Sequence, residues 1–287
     1  MTRDRAADGL LVVDKPAGIT SHAVADRARR IIGTRRVGHA GTLDPFATGL
    51  LILLVGRATR LVGFLDNEPK VYDATIRFGA RTTTDDLDGE TIAEAPPPLA
   101  QDVERAIASL TGHLLQRPPA FSAKRVGGVR AYDAARRGEP LVLEPVAVTV
   151  HGWRVRGWDG ADLHVEINCS GGTYIRGLAR DLGEASGSAA HLATLRRIRS
   201  GRYDVADAMS MDALDRGDFE LLSPTVAVAH LPSQPLDDLD ARRVSHGQNV
   251  DARAPGQLAA LFHRDQLVAV AARDGECWRP KVVMRDA

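Results

Sequence analysis

The chain is poor in cysteine, has no net charge to spare and contains no long apolar run. Its 287 residues include two cysteines, Cys169 and Cys277. No disulfide framework can be built from them, and a reducing, cytoplasmic setting is expected. The 37 basic and 37 acidic residues cancel, which argues against a protein that coats nucleic acid through bulk charge. No stretch approaches the roughly 18 apolar residues of a membrane helix, so no membrane association is expected. The start, MTRDRAADGLLVVDKPAG, mixes charges of both signs and reaches Pro16 before an apolar segment can form, so no signal peptide is expected. CxxC, HExxH, Walker, GxGxxG and GxSxG patterns are all missing. Neither a metal nor any other cofactor has positive support.

What is present is charge sorted along the chain. Bases gather in RARRIIGTRR (27–36), SAKRVGGVR (122–130) and LRRIRSGR (195–202), while acids gather in TTTDDLDGE and SQPLDDLDAR. Such segregation in a neutral chain hints at an anionic partner. LLVVD (10–14) reads as a buried strand, and Thr20 and Ser21 as caps of a helix ending at Gly33. KVYDATIRF (70–78) alternates as a strand with Tyr72, Ala74 and Ile76 on one face. QDVERAIASLT and TYIRGLARDLGEAS read as helices, and PVAVTVHGWRV with ADLHVEINCS as a hairpin. QRPPAFSAKRVGGVR (116–130) reads as a loop, followed by a short helix stopped by Gly138. A shift to proline and serine near 225–232 marks a domain boundary. Beyond it, short strands suggest a compact β-barrel of about 55 residues, small for independent folding.

GHAGTLDPFATGLL (38–51) holds one carboxylate, Asp44, among small residues. Asp before Pro often caps its own turn. The alternative is a carboxylate nucleophile or base in a glycine-lined cleft, which needs a cation or donors to stay ionised. Tyr72, Tyr174, Arg176 and Leu195 lie in stretches that offer aromatic, cationic and apolar partners. Taken alone, Tyr174 reads equally as a core aromatic and Arg176 as a surface cation. HLATLRRIRSG reads as a helix end with a solvated basic face, and DDLDGE as a solvated turn with incomplete calcium-loop spacing.

DKPAGITSH, GHAGTLDPFATGLLILLVGRATR, KVYDATIRFG, CSGGTYIRGLARDLG and HLATLRRIRSG occur in the order and approximate spacing of one family. Over residues 9–287 the chain closely resembles the bacterial TruB pseudouridine synthases, which isomerise uridine 55 in the T loop of tRNA. The resemblance implies an α+β fold: a mainly antiparallel mixed sheet flanked by helices (1–228, with a thumb loop at about 117–139) and a small C-terminal β-barrel PUA domain (229–287). It implies cofactor-free catalysis by Asp44, with Tyr72 stacked on a flipped uracil and Arg176 neutralising the aspartate. His39, Tyr174, Leu195, Arg60, Lys124, Arg125 and Asp86 would contact substrate. The implied partner is the tRNA T stem-loop, with the C-terminal domain on the acceptor stem and the enzyme a monomer. Arg60, Arg125, Thr83 and Gly171 depart from the family's usual lysine, lysine, aspartate and lysine.

Overall fold

The computed structural model describes residues 8–122, 124–139 and 141–284, with the side chains of Arg125, Val126 and Arg130 outside the description. Two compact units emerge, one from residues 1–45, 50–66 and 205–287, the other from 46–49 and 67–204.

In the first unit Gly9–Lys15 forms a strand whose side chains are almost all buried. It pairs in parallel with Met209–Ser210. The continuous apolar run at 50–55 is buried throughout; at about 1.5–3 kcal/mol per large aliphatic side chain it is a principal stabiliser of this layer. Val37–Ala40 pairs antiparallel along it, His39 opposite Leu53. The helix Ser21–Ile32 starts where expected: the Thr20 side chain accepts from the Ala23 N–H, and Gly33 closes it at φ 73°. Its Val24, Ala25 and Ala28 pack on Leu11, Val13, Leu51 and Leu53.

The same unit contains a five-stranded sheet running Ser233–Pro235, Leu258–His263, Gln266–Asp274, Cys277–Val283, Val250–Asp251. Only the contact between Ser233–Pro235 and Leu258–His263 is parallel. Trp278 is fully buried in its core, donates to Gln234 Oε1 (2.8 Å) and lies under Arg273. A helix, Asp238–Ser245, covers this sheet. The acids of SQPLDDLDAR supply its cap and first turn. Asp237 caps the Asp240 N–H, and the carboxylates suit the positive end of the helix dipole.

The second unit is built on Lys70–Phe78, a strand with the expected bounds and face. Asp162–Cys169 pairs antiparallel on one side of it and Ala190–Ser200 antiparallel on the other. Val146–Asp159 and Gly112–Gln116 extend the sheet beyond Asp162–Cys169. Thr48 and Gly49 pair in parallel with Arg196 and Arg197, so the pairing is mixed but mostly antiparallel. The helices Ala100–Ser109 and Ile175–Ala185 flank it. Two readings are corrected here. HLATLRRIRSG is not a helix end: it is strand, with Arg197 only 1% exposed. The 116–130 segment is not all loop: Arg125–Val126 and Val129–Arg130 form a hairpin around two glycines, a residue pair suited to the tight turn.

Candidate active site

In the first unit both neighbours of Asp44 are pinned. The buried Ser21 hydroxyl accepts from the Leu43 N–H at 2.8 Å and donates to the Leu43 carbonyl at 3.1 Å. On the other side, the Pro45 carbonyl accepts from the Gly18 N–H at 2.8 Å and from Lys15 Nζ at 3.2 Å. Lys15 is wholly buried, and its ammonium also donates to the carbonyls of Pro16 and Ile19. Asp44 itself is half-buried. The DKPAGITSH block thus supplies the clamp for a carboxylate more than twenty residues on. His39 is half-buried on its strand. Arg60 donates to the Val283 carbonyl at 2.7 Å, and Arg57 to that of Met284.

In the second unit the sheet register brings Tyr72 and Leu195 to one face. Tyr72 is opposite Arg197 on one side and Ile167 on the other, and Leu195 is opposite Ala74. Opposed residues in a ladder share a face, and residues two apart along a strand do too. Both side chains are 7% exposed. Gly49 fits this ladder only as glycine: at φ 99°, a Cβ would stand 2.3 Å from the Arg197 carbonyl oxygen.

Tyr174 precedes the Ile175–Ala185 helix and is bracketed by Gln116, which accepts from its N–H (2.8 Å) and donates to its carbonyl (2.9 Å). Gly177 leaves room for that amide, since a Cβ there would meet Gln116 Nε2 at 3.0 Å. Arg176 is not a surface cation. It is 5% exposed, forms an ion pair with Asp86 (3.4 Å), and donates to the carbonyls of Thr84 and Phe121, each at 2.9 Å.

DDLDGE is a turn solvated only in part: Leu87, Asp88 and Glu90 are exposed, but Asp85 and Asp86 are each 5% exposed. Asp86 accepts from the Thr84 hydroxyl and the Asp88 N–H. Thr83, the departure in this block, closes the turn by accepting from the Glu90 N–H. At Gly171 a Cβ would come within 2.1 Å of Glu68 Oε1, the end of a flexible side chain that can swing aside, so nothing here explains the glycine.

Lys124 is half-buried at the start of the hairpin, its carbonyl accepting from the Ala131 N–H. The side chain of Arg125 lies outside the described residues. Beyond the hairpin Tyr132 packs edge-on against Phe121 and under Arg136. Sequence reasoning missed Lys15, Ser21, Gln116, Asp85 and Arg180. One signal for Arg180 was available: it stands four residues after Arg176, on the same face of a helix.

A family model described as TruB family pseudouridylate synthase (N terminal domain) matches residues 29–175. A second, described as tRNA pseudouridylate synthase B C-terminal domain, matches residues 176–220. The chain belongs to the TruB family. It is therefore a pseudouridine synthase, an isomerase. Among similar TruB proteins, the tRNA pseudouridine synthase B of Thermobifida fusca is 46% identical, over 96% of this chain and 98% of its own length. That of Mycobacteroides abscessus is 43% identical, over 100% and 99% respectively. The archaeal box H/ACA sRNP Nop10-Cbf5 complex includes a chain of similar fold. Its TM-score is 0.73 at 24% identity, covering 98% of this TruB member and 88% of that chain.

Proposed function

We propose that this enzyme converts uridine 55 in the T loop of tRNA to pseudouridine without a cofactor, with Asp44 as the reacting carboxylate. Full-length similarity to tRNA pseudouridine synthase B proteins supports the substrate. The observation that carries the role of Asp44 is the pinning of its two neighbours by Ser21, Gly18 and Lys15. A reacting group gains from being held before substrate arrives.

The target base must leave its stack, at a cost of a few kcal/mol. Stacking on Tyr72 and contact with Leu195 offset part of that cost. Asp44 then acts as nucleophile at the sugar C1′, or as the base that starts elimination to a glycal. The glycosidic bond breaks, the uracil turns, and a C–C bond forms through C5. Arg176 provides the positive charge that keeps the carboxylate ionised, and the Tyr72 hydroxyl moves the C5 proton. Tyr174 lines the same pocket, with Asp86 behind Arg176. His39 holds the T loop, and Arg60, Lys124 and Arg125 contact phosphates, positioning the RNA without reading its sequence. Residues 117–139 form a thumb that closes over RNA, and 229–287 a PUA domain on the acceptor stem. The enzyme works as a monomer in the cytoplasm.

The test is incubation with an unmodified T-arm stem-loop, with and without its target uridine, followed by carbodiimide mapping. Pseudouridine at that position, with no uracil released, is the expected result. Free uracil would instead reveal a glycosidase.

A further inference from the structure

The Ile175–Ala185 helix carries two buried arginines one turn apart, and they grip the same two segments. Arg176 spans from the Thr84 carbonyl and the Asp86 carboxylate to the Phe121 carbonyl. Arg180 spans from the Asp85 carboxylate (2.9 Å) to the Arg117 carbonyl (2.9 Å). Asp85 is the residue between Thr84 and Asp86, and Arg117 is four residues from Phe121. The second bridge therefore parallels the first.

Arg180 is itself held from three sides. Its Nε donates to Asp181 at 2.9 Å. Arg81 adds an ion pair to Asp85 (3.6 Å) and another to Glu184 (2.7 Å). Burial pushes the carboxyls of Asp85 and Asp181 above the usual range, and the Arg180 charge offsets only part of that rise. Asp85 also holds a left-handed backbone at φ 58°, an unusual conformation for a residue with a side chain. Buried ion pairs are weak contributors to stability, and well-packed apolar groups often replace them without loss. What this pair supplies is geometry. It fixes the 83–90 turn and the 116–121 segment independently of Arg176, so that the Arg176 guanidinium meets carbonyls already in place.

We propose that Asp85 and Arg180 are positioning residues for pseudouridine formation, setting the separation of the two segments that Arg176 bridges. The proposal rests on the reading of Arg176 as an active-site residue. A misplacement of about 1 Å can cost on the order of a hundredfold in rate.

The test compares Arg180→Ala, Arg180→Lys and Asp85→Asn, each alone and combined with Arg176→Lys, in the full-length enzyme on an unmodified tRNA transcript. Turnover and KM are measured well below each variant's melting midpoint. Arg180→Ala is expected to lower kcat about tenfold or more, with KM within about threefold. Arg180→Lys, which restores the charge but not the fork, should recover part of the loss. In the Arg176→Lys background, Arg180→Ala should add less than about threefold, because both changes act through one group. Should Arg180→Ala fail to fold, Asp85→Asn carries the same comparison. A kcat within about twofold of wild type for a folded variant, or losses that multiply fully in the double variant, would overturn the proposal. An Arg176→Ala enzyme with normal turnover would instead remove the reading of Arg176, a result distinguishable from silence at Arg180.

Discussion

Arg176 and Asp86 form an ion pair at 3.4 Å with side chains only 6% and 7% exposed. Removing one member of a buried pair strands the other charge, at a cost of about 3–5 kcal/mol. Asp86→Ala should lose stability of that order in urea denaturation. Asp86→Asn keeps the oxygen that accepts from Thr84 and Asp88, so it should fold better while turning over more slowly than wild type.

The Ser21 hydroxyl is the partner of both the N–H and the carbonyl of Leu43. Ser21→Ala leaves two buried backbone groups unmade, at about 1–3 kcal/mol each when unsatisfied. It should lower the melting midpoint and, by loosening the Asp44 loop, reduce kcat more than it raises KM. Ser21→Cys should restore little of either, since a thiol is a weak donor.

Gly49→Ala should be among the most damaging small substitutions. Its Cβ would meet the Arg197 carbonyl at 2.3 Å, on a backbone at φ 99°. Strain and overlap together predict a loss of at least about 2 kcal/mol, read from denaturant midpoints, or no soluble protein at all.

Lys70 is buried in the sheet, and its pKa is lowered by burial and then by the nearby Arg197 charge. The sign follows from proton counts. Between the folded pKa and the unfolded value of 10.5 the unfolded chain binds more protons, so stability rises with pH there. Near neutrality the charged lysine is a burden. Lys70→Met should therefore be more stable than wild type at pH 7, and that advantage should shrink as pH rises towards 10.5.

The two cysteines should separate cleanly in thiol labelling. Burial pushes the Cys169 thiol up to about 11, whereas Cys277 is half-buried. Only the thiolate reacts, so iodoacetamide at pH 8 should modify Cys277 and spare Cys169 until the protein is unfolded. Equal labelling in the native state would contradict the structure.

How much was legible varied with the range of the forces involved. The Ser21–Ile32 helix and the Lys70–Phe78 strand declare themselves through caps and alternation, which are local. HLATLRRIRSG misled because its spacing of leucines and isoleucine also suits a helix. Its strand state comes from neighbours on both sides, Lys70–Phe78 and Thr48–Gly49. The buried state of Asp85 and Asp86 was invisible because their cations, Arg180 and Arg176, lie about ninety residues on. The family motifs included Asp44, Lys15 and Ser21, but nothing local in DKPAGITSH says that its ammonium and hydroxyl pin the flanks of Asp44.

The role of Asp44 is tested most directly by Asp44→Asn, assayed on an unmodified tRNA transcript for pseudouridine and for binding. The carboxamide keeps the size of the side chain and removes its charge. The account predicts no pseudouridine above background, with tRNA affinity within a few-fold of wild type. Normal pseudouridine formation by a correctly folded Asp44→Asn enzyme would contradict it.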